Sequence, residues 1–118
     1  MKEIQFYRTE NGKCPVSEFL DSLDAKSARK VTWVLNLIES IERVPQEYLK
    51  KLSGTSDIWE VRIQFGSNSF RLLGFLYQDQ LVILTNGFAK KSQKTPKQEI
   101  ELAEQRKTDF LRRKRIQR

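Results

Sequence analysis

The chain is expected to fold as α+β, with one antiparallel meander sheet, two N-terminal helices packed on one sheet face and a C-terminal helix. Three observations lead there. Apolar residues recur with a helical period over residues 15–41. The period changes to two over residues 58–88, in runs divided by short turn signals. A capped helical pattern then opens at Thr95. Helices grouped ahead of a meander pack together on one face of its sheet. The 118 residues are read as one domain, residues 1–118, because that length fits a single core without staples.

Each element has a local reason. Lys2–Arg8 alternates, with Ile4 and Phe6 on one face, and predicts a short strand; Glu10-Asn11-Gly12 turns it. Pro15 suits the first turn of a helix, and Val16, Phe19, Leu20 and Leu23 share one face of it. Asp24 caps the next helix, whose stripe is Val31, Val34, Leu35, Ile38 and Ile41, with Pro45 marking its end. Residues 46–56 read as a connection. In Ile58–Phe65, Trp59, Val61, Ile63 and Phe65 share one face, and Glu60, Arg62 and Gln64 the other. Gly66-Ser67-Asn68-Ser69 is a hairpin turn, Phe70–Tyr77 a strand, Gln78-Asp79-Gln80 a turn and Leu81–Phe88 a strand buried on both faces. Thr95 as cap, Pro96 at the first helical position and Gln98 start a helix that runs to roughly Arg112, with a thin apolar face of Ile100, Ala103 and Phe110. The sheet face away from the first two helices is expected to stay partly open and to carry the polar half of the alternation.

Composition removes several classes of chemistry. There is no His and a single cysteine, Cys14. A disulfide framework, a Cys- or His-based metal site and a Ser-His-Asp triad are therefore excluded, and no cofactor is expected. No apolar run is long enough to cross a membrane, and the opening MKEIQFYRTENG lacks the apolar stretch of a signal peptide, so a cytoplasmic protein is expected. Residues 1–88 hold 11 basic and 11 acidic side chains; residues 89–118 hold 11 basic and 4 acidic. The net charge of +7 thus sits in the last quarter of the chain. That block fits a polyanion partner, either nucleic acid or an acidic protein segment, or else a solvated helix. Its last residues, Arg112–Arg118, are expected to fray.

Strand register sharpens the search for a site. If Phe65 pairs with Phe70 across a four-residue turn, Arg62 and Arg71 become diagonal neighbours on one face. Two guanidinium groups so placed repel, and Glu60 on the same face can neutralise one of them as a surface ion pair. The alternative is a phosphate clamp, which the planar donor fork of arginine matches. The following Phe88-Ala89-Lys90-Lys91-Ser92-Gln93-Lys94 carries three lysines into the start of the last helix, whose dipole also favours an anion. It is either an ordinary solvated loop or the third side of the same site. Lys50 and Lys51 either extend the basic surface or are solvent-facing decoration, and the second reading is preferred.

Asp57-Ile58-Trp59-Glu60-Val61-Arg62 resembles an (L/I)WELR strand, and Phe70-Arg71-Leu72-Leu73 a (Y/F)R(I/L)(L/F) strand. Thr85 to Pro96 resembles the signature H-(G/A)-F-x-K-K-(T/S)-x-K-T-P, and Glu99–Ala103 an EIxxA helix. Together with the opening strand and the Pro15-Val16-x-x-Phe19-Leu20 helix, these resemble RelE/ParE-type toxins of toxin–antitoxin pairs, in the phage-type HigB branch. The resemblance implies a RelE-like fold. It also implies a small endoribonuclease that cuts mRNA, commonly on the ribosome, and that a HigA-type helix-turn-helix antitoxin inhibits. Carried over by position, Arg62 and Arg71 match the family's active-site arginines, and Lys90 and Lys91 its lysine pair. Asn86 stands where many relatives have His, and an amide does not shuttle a proton near neutral pH.

With neither His nor a carboxylate cluster, electrostatics must carry RNA cleavage. Arg62 and Arg71 are assigned to the scissile phosphate and Lys90 to proton transfer, with its pKa lowered by neighbouring cations. Lys91 and Lys94 are assigned to flanking phosphates, Asn86 to the RNA-binding set, and Phe88 either to stacking on a base or to the core. Competing with this assignment are a ParE-like gyrase poison that acts without cutting RNA, and a non-catalytic basic module that binds RNA or DNA.

Overall fold

A computed structural model describes residues 2–91 and 94–116. Ser92 and Gln93 of the basic loop, and Gln117 and Arg118 of the basic tail, lie outside the described residues. The elements run β1 (Glu3–Phe6), α1 (Pro15–Asp21), α2 (Ala25–Ser40), β2 (Leu49–Lys51), β3 (Trp59–Phe65), β4 (Asn68–Tyr77), β5 (Leu81–Ala89) and α3 (Lys97–Ile116). The architecture is α+β, as expected. The five strands form one sheet in the order β1-β5-β4-β3-β2. Pairing is antiparallel except between β1 and β5, which run parallel.

Two features of the sheet depart from the sequence reading. Residues 46–56 contain β2, a three-residue edge strand that pairs Lys50 with Glu60 and Lys51 with Trp59. Second, the β3–β4 turn spans only Gly66 and Ser67, so Phe65 pairs with Asn68 and Ile63 with Phe70. Gly66 has φ +61, which a two-residue hairpin turn requires. The register is thus shifted by two from the expected Phe65–Phe70 pairing. A shift of two keeps every side chain on its face, but it makes Arg62 and Arg71 direct partners rather than diagonal neighbours.

Helices lie on both faces. Beneath α1 and α2, the first face buries Val61, Ile63, Leu72, Val82 and Leu84 against Val16, Val31, Val34 and Ile38. Asp24 caps α2 by accepting from the Ser27 N–H at 2.8 Å. That helix stops at Ser40, before Pro45, because Ile41 is already extended, with φ −123 and ψ 146. Across the second face runs α3. Ile58, Leu73 and Ala103 pack in one cluster, and Tyr7, Phe75, Ile83 and Phe110 in another. Phe110 meets the Phe75 and Tyr77 rings edge-on, at 5.5 and 5.2 Å between centroids. The thin apolar stripe therefore suffices to seat α3, and among the described residues this face stays accessible at Arg62 and Gln64. Instead of fraying from Arg112, the helix continues to Ile116.

One irregularity positions the far end of β5. Gly74 pairs with Leu84 and Leu73 with Asn86, so Thr85 is an extra residue without a partner in β4. Side chains before it alternate one way, and those after it the other. Val82 and Leu84 face α1 and α2, whereas Asn86 and Phe88 face the side of Arg62 and Arg71. The bulge leaves the Thr85 carbonyl out of the ladder, and Arg106 Nη1 on α3 donates to it at 2.8 Å.

The outer end of α3 is tied to β1 by Asp109. Its carboxylate accepts from the Tyr7 hydroxyl at 2.6 Å, from Arg113 Nε at 3.0 Å and from Arg112 Nη2 at 2.8 Å. These donors, Tyr7 foremost, hold its carboxyl below the usual carboxylate range. A carboxyl depressed in the folded state contributes stability that is complete above its unfolded pKa and lost as pH falls through its folded one. Asp109→Asn is expected to cost about 1–2 kcal/mol near neutral pH. The deficit shrinks as pH falls below about 4. Urea denaturation at several pH values checks this; a deficit constant with pH contradicts it.

Candidate phosphate-binding cleft

The open end of the second sheet face is built from alternation and register. In β3, Val61 and Ile63 point into the core, which turns Glu60, Arg62 and Gln64 to the other side. In β4, Phe70 and Leu72 do the same and turn Arg71 outward with them. Because Arg62 and Arg71 are direct partners, and Arg71 pairs onward with Phe88, the row across the sheet reads Arg62, Arg71, Phe88. The neighbouring row reads Lys50, Glu60, Leu73, Asn86. Two arginines directly opposite each other are destabilising by themselves. Glu60 offsets this, with Oε1 lying 3.5 Å from the Nε of both.

Arg71 is only 7% exposed, and its Nη1 donates to the Phe70 carbonyl at 2.9 Å. Its Nε forms no hydrogen bond, so the attraction to Glu60 there is Coulombic. Burial lowers its pKa, Glu60 opposes that, and Arg62 adds to the lowering; a guanidinium stays charged regardless. Arg62 is more open, with its side chain 34% exposed. Glu47, Arg62, Ile63, Gln64 and Arg71 line a cleft of about 240 Å³.

Lys90 leaves the end of β5 beside β4, its N–H donating to the Ser69 carbonyl at 2.8 Å. Burial lowers its pKa first, and the charges of Arg71, Arg62 and Lys50 lower it further against Glu60. The structure therefore brings Arg62, Arg71 and Lys90 into one electrostatic neighbourhood. Lys91 and Lys94 are exposed on either side of Ser92 and Gln93.

Asn86 and Phe88 reach the same face but are turned to internal tasks. Asn86 is 3% exposed; its Nδ2 donates to the Glu99 carbonyl at 3.2 Å and to Glu99 Oε1 at 3.0 Å. Thr85 Oγ1 lies 2.6 Å from its Oδ1. The amide pins the first turn of α3 to β5, which leaves it no group facing solvent for RNA. Phe88 is half-buried and packs against the cluster of Ile58, Leu73 and Ala103. Of the two roles considered for it, the packing is the one on display.

Three participants hold places that the sequence did not favour for them. Lys50 shares the arginine face because β2 places it opposite Glu60, whereas a three-residue strand shows too little alternation to be seen. Glu47 enters the cleft lining from the connection before β2. Thr95, expected to cap α3, instead donates its hydroxyl to Glu60 Oε2, and the Pro96 carbonyl takes the first helical N–H groups from Glu99 and Ile100. The start of α3 is thereby attached to the arginine pair through Glu60. Among the described residues, no group of three or more His, Cys, Asp or Glu side chains is placed to hold a metal ion.

Comparison with known families matches residues 18–108 to the family described as phage-derived protein Gp49-like (DUF891). The chain belongs to the Gp49-like family. The matched span runs from α1 into α3 and includes Glu60, Arg62, Arg71 and Lys90. Gp49-like proteins are a RelE/toxin-like family in toxin–antitoxin systems, which makes an antitoxin the partner to expect for this Gp49-like chain. No curated protein matches it. Among the described residues of this Gp49-like protein, no helix is long and apolar enough to cross a membrane.

Proposed function

We propose that this Gp49-like chain is the toxin of a toxin–antitoxin pair, akin to the phage-type HigB branch, and acts as an endoribonuclease on mRNA at the ribosome. A HigA-type helix-turn-helix antitoxin is its proposed inhibitor. What supports the nuclease reading above all is the direct Arg62–Arg71 pair at the open end of the sheet, with Lys90 beside it. Stability alone disfavours that pairing, whereas a phosphodiester accepts donors from both.

In this reading the RNA 2′-oxygen attacks the adjacent phosphorus and the bond to O5′ breaks. Arg62 and Arg71 stabilise the charge that builds on the non-bridging oxygens. Lys90, made more acidic by burial and by Arg71, gives its proton to the departing O5′, and the 2′-OH proton passes to solvent. The products are a 2′,3′-cyclic phosphate and a 5′-OH end. Lys91 and Lys94, exposed in the run that follows Lys90, are assigned to flanking phosphates.

Mapping RNA 5′ ends after induced expression tests the reading. New 5′-OH ends are expected with the natural sequence, and their loss with Arg62→Ala. DNA breaks without new RNA ends instead identify a gyrase poison. Salt-sensitive RNA binding with no cleavage identifies a plain binding module.

A further inference from the structure

Glu60 is the cluster's buried anion. It is 2% exposed, although it sits on the face that opens to solvent at Arg62. One of its oxygens serves both arginine Nε groups at equal distance, and the other accepts from Thr95 at the entrance of α3. A carboxylate needed only to cancel charge has no reason to be shared so evenly, nor to be fastened to a second element.

We infer that Glu60 is a positioning residue for the phosphate clamp, holding the two guanidinium groups at one spacing from their Nε sides. This leaves Arg71 Nη2 and the Nη groups of Arg62 to meet the non-bridging oxygens of a phosphodiester. Thr95 fixes the carboxylate in turn, so α3 and the arginine pair keep one relative placement. The inference rests on reading the cleft as a phosphodiester site.

It has a kinetic signature that simple neutralisation lacks. Glu60→Gln keeps the size and the acceptor for Thr95 but removes the charge. The cleft becomes more positive, so a ground-state phosphate binds better, while the arginines lose their common anchor and serve the transition state less well. On an oligoribonucleotide, KM is expected to fall about threefold as the opposing charge is removed. Over the same change kcat is expected to fall about tenfold or more through misplacement.

The experiment compares kcat and KM of the natural protein and Glu60→Gln, with inorganic phosphate binding by calorimetry and the Nε–Hε NMR signals of Arg62 and Arg71. The expected result is lower KM, lower kcat, tighter phosphate binding and faster Nε–Hε exchange. Unchanged kcat, or weaker phosphate binding, overturns the inference. Thr95→Val, which keeps the charge and frees the carboxylate to move, serves if Glu60→Gln does not fold. With that variant kcat falls at constant KM, and no change in kcat overturns the inference. A natural protein that cleaves no RNA removes the nuclease reading alone. Phosphate affinity and Nε–Hε exchange still decide the role of Glu60, and both unchanged in Glu60→Gln count against it.

Discussion

Arg71→Ala is expected to lower RNA cleavage by about 10²–10³-fold in kcat, the scale seen when one preorganised charge-stabilising donor is removed. The side chain is nearly enclosed, anchored by its bond to the Phe70 carbonyl, and so oriented before any substrate arrives. Its loss also leaves Glu60 with Arg62 as its remaining guanidinium partner, which weakens the clamp further. Arg71→Lys should recover little, because an ammonium lacks the planar fork and does not reach the same positions. Single-turnover cleavage of an oligoribonucleotide, with thermal denaturation as a control for folding, checks both. An alanine variant that stays folded and still halts translation removes Arg71 from the chemistry.

The largest effect on stability is expected from Gly74→Ala, at about 3 kcal/mol or more. A Cβ there would lie 2.1 Å from the Ile83 carbonyl oxygen, 2.9 Å from its carbon and 3.0 Å from Leu84 Cα. All three are backbone atoms of the paired strand, so no side-chain rotation relieves the clash. Strands β4 and β5 must separate where the bulge begins. Urea denaturation gives the magnitude, and a loss under about 1 kcal/mol contradicts this close approach. Because Phe88 and Lys90 follow from the same stretch of β5, the variant that remains folded is also expected to cleave poorly.

Much of this architecture was legible because periodicity is a strong signal over long segments. The alternation in Ile58–Phe65 and Phe70–Tyr77 put Arg62 and Arg71 on one face, and the register shift of two preserved that placement. The Asp24 cap and the Val31, Val34, Leu35, Ile38 stripe likewise describe α2 as found. What stayed hidden depends on tertiary context. A three-residue edge strand such as Leu49–Lys51 has no periodicity to detect, so Lys50 looked like decoration. Thr95 has the residue type and spacing of a cap, but a buried carboxylate from a strand 35 residues earlier competes for its hydroxyl. Asn86 looked like a replaced catalytic position, and only the docking of α3 shows that its amide is consumed by Glu99. The bulge at Thr85 left no mark in the alternation, since Leu81–Phe88 reads as a strand buried on both faces.

That single unpaired residue makes the length of β5 a matter of parity. If the same residues ran straight on through Thr85 without the bulge, every later side chain of the strand would project into the opposite layer. Gly87 now occupies the crowded layer, where any added carbon meets Leu72 and Phe19 at 2.6 Å. An exchange sends the Phe88 ring into that space and takes the Asn86 amide away from Glu99, so α3 loses its mooring and the lysine run that follows sets off from the wrong side. Of the one-residue deletions in β5, loss of Thr85 itself is therefore the one that leaves Leu84 opposite Gly74 and Asn86 opposite Leu73.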